Sequence, residues 1–180
     1  MYAIIRVMNI PIILGTARDG RQSEKVARYV YEQVKKASVE TEIIDVRDYR
    51  IAATDKAGEL PEAKKLAAKI VSADALIIVS PEYNHSFPGE LKMMLDLLFD
   101  EYANKPVGLC GVSRGMLGGA RGMQSLRLAL LGMKLTPVYE AVYFANVTEL
   151  FEADGKIKSP IYDKQVAGML QSLISRSSKK

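Results

Sequence analysis

Five times along this chain a short run of β-branched and aliphatic residues gives way to a segment with the three- and four-residue apolar spacing of an amphipathic helix. Parallel strands need a long crossover between them, and a helix supplies it, so this alternation predicts a parallel sheet with helices on both faces. Predicted strands are Asn9–Leu14, Glu40–Val46, Ala75–Ser80 and Pro106–Gly111, with Thr136–Val138 and Ala141–Ala145 together supplying the fifth. Predicted helices run over Glu24–Ala37, Pro61–Ala73, Gly89–Tyr102, Ala120–Met133 and Asp163–Arg176. Ser23 stands where an N-cap belongs, and Pro61 suits a first helical position. Val26, Ala27, Val30 and Val34 mark one buried helix face, and Met123, Leu126, Leu130 and Leu131 another. Thr54–Leu60 reads as a connecting loop and Asp154-Gly155 as a turn.

Five strands in 180 residues suggest the flavodoxin-like order 2-1-3-4-5, an α/β three-layer sandwich in one domain over residues 1–180. In that order the winding reverses between strands 1 and 3, and ligands bind in the crevice at their carboxyl ends. The loops leaving those strands, Gly15–Ser23 and Pro81–Pro88, are the most chemically loaded in the chain. The first offers the hydroxyls of Thr16 and Ser23 and the guanidinium groups of Arg18 and Arg21. It feeds a helix N-terminus, where free amides and the helix dipole favour an anion such as phosphate. Neither G-x-x-x-x-G-K-[ST] nor G-x-G-x-x-G is present, which disfavours a P-loop and a dinucleotide site. In the second loop Tyr83 presents a flat face and Asn84 a two-way amide, suited to the edge of a planar heterocycle. A third rim loop, Ser113–Gly119, has glycines that let main chain approach a ligand. Phosphate at one end and a planar ring at the other, in a doubly wound sheet, point to FMN.

Composition narrows the alternatives. Hydrophobic content of 48% with 26% charge is ordinary for a globular chain, and a chain of this size buries roughly 70% of its unfolded surface. The net charge of +4 sits partly in the tail from Arg176 to Lys180, read as a frayed helix end, and the cations are otherwise dispersed. That does not argue for nucleic acid. Cys110, alone and inside an apolar run, reads as a buried inert thiol. No apolar run reaches the length of a membrane helix. The apolar N-terminus carries Arg6 and Asn9 and no small-residue cleavage site, so a cytoplasmic location is expected. Residues 1–7 read as an extension, with Met8 an alternative start.

The segments running from Leu14 to Lys25, Ser80 to Lys92 and Ser113 to Arg121 resemble the three signatures of the NADPH-dependent FMN reductase family. That family includes quinone, azo-dye and chromate reductases, and the resemblance spans about residues 8–175. It implies a flavodoxin-like fold, bound FMN, reduction by NADPH or NADH, and a homodimer or homotetramer with the flavin near a subunit interface. By the same resemblance Thr16, Arg18, Gln22 and Ser23 match the phosphate loop, with Thr16 where the family often has serine. Pro81, Glu82, Tyr83 and Asn84 match the loop against the ring and ribityl chain, and Ser113 and Gly115 the loop beside the ring's far side.

The hard chemistry then belongs to the cofactor. The expectation is ping-pong hydride transfer through flavin N5 to small-molecule acceptors, with no catalytic nucleophile. No metal site is expected, because the acidic residues do not cluster with His or Cys at ligand spacing. His85, the only histidine, and Tyr83 are both weak candidates for proton donor; an exposed or interface histidine is the plainer reading. Arg114 and Arg121 could meet a nucleotide phosphate, although surface cations are the plainer reading. Met93, Met94, Leu95, Leu97 and Leu98 are core by spacing, and their excess on one helix is consistent with a subunit interface. Two other classes share these features: a flavodoxin-type electron carrier, and a regulatory protein switched by flavin redox state.

Overall fold

The middle strands are apolar on both faces because both faces are covered, as in parallel sheets generally. The computed structural model describes residues 7–54 and 57–178, and in these the elements alternate throughout. They are β1 (Ile12–Leu14), α1 (Ser23–Lys36), β2 (Ile43–Asp45), α2 (Pro61–Ser72), β3 (Leu76–Pro81), α3 (Gly89–Leu95), β4 (Pro106–Val112), α4 (Ala120–Gly132), β5 (Thr136–Phe144) and α5 (Ile161–Ser177). The expected readings of Met1 as a start, and of Lys179 and Lys180 as tail, lie outside the described residues, as do two residues of the Thr54–Leu60 loop.

All five strands are parallel, in the expected order β2-β1-β3-β4-β5. Alternation along the strands divides the core in two. Ile13, Ile44, Leu76, Ile78 and Leu109 pack under Leu66, Ile70, Met94, Met123 and Leu126 of α2, α3 and α4. Ile12, Leu14, Ile77, Val79 and Cys110 pack on the other face, under Val26, Val30, Met169 and Leu173 of α1 and α5. The Cys110 thiol is fully buried, and burial pushes its pKa up, as an inert core thiol requires. Among the described residues no helix is long and apolar enough to cross a membrane.

Several boundaries differ from the sequence reading. β1 is shorter than Asn9–Leu14 because Pro11 has no amide hydrogen to give the ladder; Asn9 keeps an isolated bridge to Glu40. β2 stops at Asp45, whose carboxylate accepts the Arg47 amide at 3.0 Å and opens a 3₁₀ turn over Val46–Tyr49. The loop before α2 also contains a short 3₁₀ turn, Ala57–Glu59. β5 is one continuous strand with an irregularity: Val107 pairs with Pro137 and Leu109 with Ala141.

The helix expected over Gly89–Tyr102 ends at Leu95, and only Asp100–Tyr102 turns again, as 3₁₀. Beyond the break Leu97 and Leu98 both enter the core. Met94, Leu95, Leu97 and Leu98 are core, and Met93 is half-buried. On α4 the buried face is Gly122, Met123, Leu126 and Leu130. Leu131, expected there, is 55% exposed, one helical step round from Leu130.

Candidate functional site

At the carboxyl ends of β1, β3 and β4 the three rim loops enclose a cavity of about 330 Å³, within the roughly 300–1,000 Å³ usual for ligand pockets. Its lining takes Thr16, Arg18, Gly20, Arg21, Gln22 and Ser23 from the first loop, and Pro81, Glu82 and Tyr83 from the second. Val112, Ser113, Arg114 and Val147 complete it.

The first loop delivers the N-terminus of α1. Gln22, not Ser23, is the N-cap residue, and it makes no side-chain cap bond. Ser23 lies inside the first turn, 2% exposed, and its Oγ has no hydrogen-bond partner among the described residues. Buried hydroxyls are normally paired, so the expected capping role is wrong, and this oxygen is free for a guest in the cavity. Arg21, offered by the sequence as a cation for the anion, has its guanidinium engaged within the protein. Its guanidinium donates to both carboxylate oxygens of Asp45, to the Thr16 carbonyl at 2.6 Å and to Glu24 at 3.3 Å. The hydrogen bond to Asp45 raises its pKa, and burial works against that. Burial alone would push the Asp45 carboxyl up, but hydrogen bonds from Arg21 and the Arg47 amide hold it below its usual range. Arg18 and Arg114 also line the cavity, and the Arg18 guanidinium stands 4.0 Å from the Tyr83 ring centroid.

The second loop is tied to the first. The Tyr83 hydroxyl and Thr16 Oγ1 lie 2.9 Å apart, and Thr16 Oγ1 accepts the Arg18 amide at 3.3 Å. Tyr83 and Ser86 exchange backbone bonds of 2.8 and 2.9 Å around Asn84 and His85. Both central residues have positive φ, +50° and +63°, the requirement of a primed hairpin turn. Asn tolerates this; His does so at a cost of about 1–3 kcal/mol, and such residues cluster at functional sites. Glu82 reaches sideways, its carboxylate accepting the Gly122 amide of α4 at 3.0 Å.

In the third loop Ser113 Oγ donates to the Gly115 carbonyl at 3.0 Å, and the Ser113 carbonyl accepts the Val147 amide at 3.1 Å. Gly118 and Gly119 have φ of +57° and +84°, and a Cβ on Gly118 would stand 2.7 Å from the Tyr143 backbone. Only glycine closes the loop there.

The fold thus brings Thr16, Arg18, Gln22, Ser23, Pro81, Glu82, Tyr83 and Ser113 to one cavity. Asn84 and Gly115 lie outside its lining: Asn84 is exposed in the hairpin turn, and Gly115 shapes the loop behind Ser113. Val112 and Val147 were not foreseen. Val112 follows from β4 running one residue further than expected, and Val147 from backbone pairing beyond β5. His85 is exposed at the rim, its Nε2 3.5 Å from Arg121. Beyond the Arg18–Tyr83 stack lies a second cleft of about 530 Å³, reaching Tyr49, Arg50, Glu90 and Met93.

Residues 8–149 match the family model of NADPH-dependent FMN reductases. A quinone reductase of Pseudomonas putida is 30% identical over 161 residues, covering 84% of this chain and 86% of that protein. An FMN-dependent NADPH-azoreductase of Staphylococcus aureus is 36% identical over 114 residues, 59% of this chain and 61% of that protein. Among solved structures, the flavoenzyme NAD(P)H:(acceptor) oxidoreductase FerB of Paracoccus denitrificans shares the fold, with a TM-score of 0.83 at 22% identity, covering 96% and 98% of the two chains.

Proposed function

The chain belongs to the NADPH-dependent FMN reductase family, a family of oxidoreductases, and on that premise we propose that it is a single-domain FMN enzyme. It takes reducing equivalents from NADPH or NADH and delivers two electrons, in ping-pong fashion, to small acceptors such as quinones, flavins, azo compounds or chromate. The observation that carries this reading is the buried Oγ of Ser23 at the α1 N-terminus, which has no partner among the described residues and belongs to a residue lining the same cavity as Pro81 and Tyr83. An anionic group at that end would give the Ser23 hydroxyl a partner, and the flat Tyr83 and apolar Val112 and Val147 suit a planar ring at the other. The residues present fit FMN.

Ser23, Gln22, Arg18 and the first amides of α1 would hold the phosphate. Thr16 joins this loop to Tyr83, and the main chain of Pro81–Asn84 would flank the ring, with Ser113 and the Gly115 turn behind it. Bound there, FMN supplies the two-electron chemistry. The protein's part is to bind, orient and exclude water. No side chain is assigned as nucleophile, and His85, exposed beside Arg121, is not placed as a proton donor. The reading includes a cytoplasmic homodimer or homotetramer, for which exposed Leu128, Leu131 and Tyr139 offer apolar surface.

The test is a visible spectrum of the purified protein, followed anaerobically after NADPH is added. Flavin bands that bleach on the timescale of turnover support the enzyme. Flavin that stays oxidised with NADPH and NADH refutes it in favour of an electron carrier or a flavin-switched binding protein. A colourless protein that takes up no FMN refutes the cofactor site itself.

A further inference from the structure

Three successive carbonyls of the anion loop are each held by an arginine. Thr16 O accepts from Arg21 Nη1 at 2.6 Å. Ala17 O accepts from Arg47 Nε at 3.1 Å and from Arg50 at 3.4 Å. Arg18 O accepts from Arg47 Nη2 at 2.8 Å. Arg47 and Arg50 lie outside the cavity lining, on the side of the chain that follows β2. Behind Arg21 stands Asp45, which grips its guanidinium with both oxygens. Asp45 is the last residue of β2 and is in register with Leu14, the residue before the loop. The sheet therefore fixes the carboxylate, the carboxylate fixes a guanidinium whose side chain is 4% exposed, and the guanidinium fixes the first loop carbonyl.

A carbonyl oxygen turned toward a phosphate repels it, whereas an amide or hydroxyl turned toward it binds it. A flexible loop rich in small residues samples both. We infer that Asp45, acting through Arg21, and Arg47 are positioning residues that hold the loop carbonyls away from the cavity, making the site selective for a flavin bearing a phosphate monoester. The inference rests on the FMN reading above. Asp45 and Arg47 lie outside the cavity lining, and Arg21, which borders it, spends its guanidinium on Asp45, Glu24 and the Thr16 carbonyl; each determines which atoms of the loop can meet the ligand.

Riboflavin, which has the ring and ribityl chain of FMN without the phosphate, is the discriminating probe. Apoprotein is titrated with FMN and with riboflavin, and each Kd is read from quenching of flavin fluorescence. Asp45→Asn should raise the Kd for FMN by about tenfold or more while moving that for riboflavin less than about threefold. Arg47→Met, which keeps the apolar stem of a half-exposed side chain, should act in the same direction by about three- to tenfold. If Asp45→Asn does not fold, as judged by its circular dichroism melt, Arg47→Met decides alone. An unchanged FMN-to-riboflavin preference overturns the inference, as does parallel weakening of both flavins, the mark of general damage. Wild-type protein that binds the two flavins equally overturns it and leaves the flavin site standing. Wild-type protein that binds neither overturns the cofactor reading and this inference with it.

Discussion

Ser23→Ala should make the apoprotein more stable and the FMN complex weaker. The Ser23 hydroxyl is buried without a partner, and an unsatisfied buried polar group costs about 1–3 kcal/mol. Alanine removes that cost and is a better helix former by about half a kcal/mol. The small void it leaves opens on the ligand cavity and not on the packed core, so the cavity penalty of core truncations does not apply in full. A net gain of about 1–2 kcal/mol is expected. In a domain of this size each kcal/mol moves the melting temperature by about 2–4 °C, so the apoprotein should melt about 2–8 °C higher. With FMN the sign reverses. A hydrogen bond to a charged group contributes about 1.5–3 kcal/mol, so its loss should raise the Kd for FMN roughly ten- to a hundredfold. Circular dichroism melts of flavin-free protein and a fluorescence titration measure the two effects separately. A variant whose apo form melts no higher than wild type, or which binds FMN as tightly, refutes the assignment of this oxygen to a ligand. Generic damage lowers both quantities and cannot produce the opposed pair.

Other perturbations test the frame around the site. Tyr102 is fully buried, its hydroxyl has no hydrogen-bond partner among the described residues, and burial raises its pKa; Tyr102→Phe should leave stability unchanged or higher by about 1 kcal/mol in urea unfolding, and a loss of that size would reveal a hidden partner. Because Asp45 has a folded pKa below its ordinary 3.8, its contribution is complete above that value and is lost as pH falls through the folded pKa. The stability gap between wild type and Asp45→Asn should therefore be constant near neutrality and narrow below about pH 4; a gap that persists at acid pH contradicts the ion pair. A Cβ on Gly122 would stand 2.8 Å from the Ser86 carbonyl and 3.1 Å from Glu82 Cβ. Gly122→Ala should push the Tyr83–Ser86 turn away from α4, at about 1–3 kcal/mol of strain, and weaken FMN binding about tenfold or more; an unchanged Kd would show the turn to be dispensable.

Much of this architecture was legible because parallel strands buried on both faces must be continuously apolar, as Leu76–Val79 and Val107–Cys110 are. Strand order followed from the number of strands, and the site's position from where winding reverses. What was not legible depends on which polar partner wins. Ser23 and Arg21 look alike in sequence as anion ligands; one is free because no protein group reaches it, the other committed because β2 ends on Asp45, 24 residues away. The end of α3 at Leu95 carries no proline or glycine signal. Val147 enters the cavity through backbone pairing with Ser113, a contact with no local signature.

The placement of β1 between β2 and β3 bears on how the chain matures during synthesis. Ile12 pairs with Ile43 on one side and Ile77 on the other, so the first strand made cannot be closed in until some 65 further residues have been translated. At about 5–20 residues per second that is roughly 3–13 s on the ribosome. The third rim loop and Val147 emerge later still. Flavin can be captured only after Val147 has emerged, and a nascent chain stalled before β4 exposes the apolar flank of β3 as an open edge, the form most exposed to aggregation and chaperone capture.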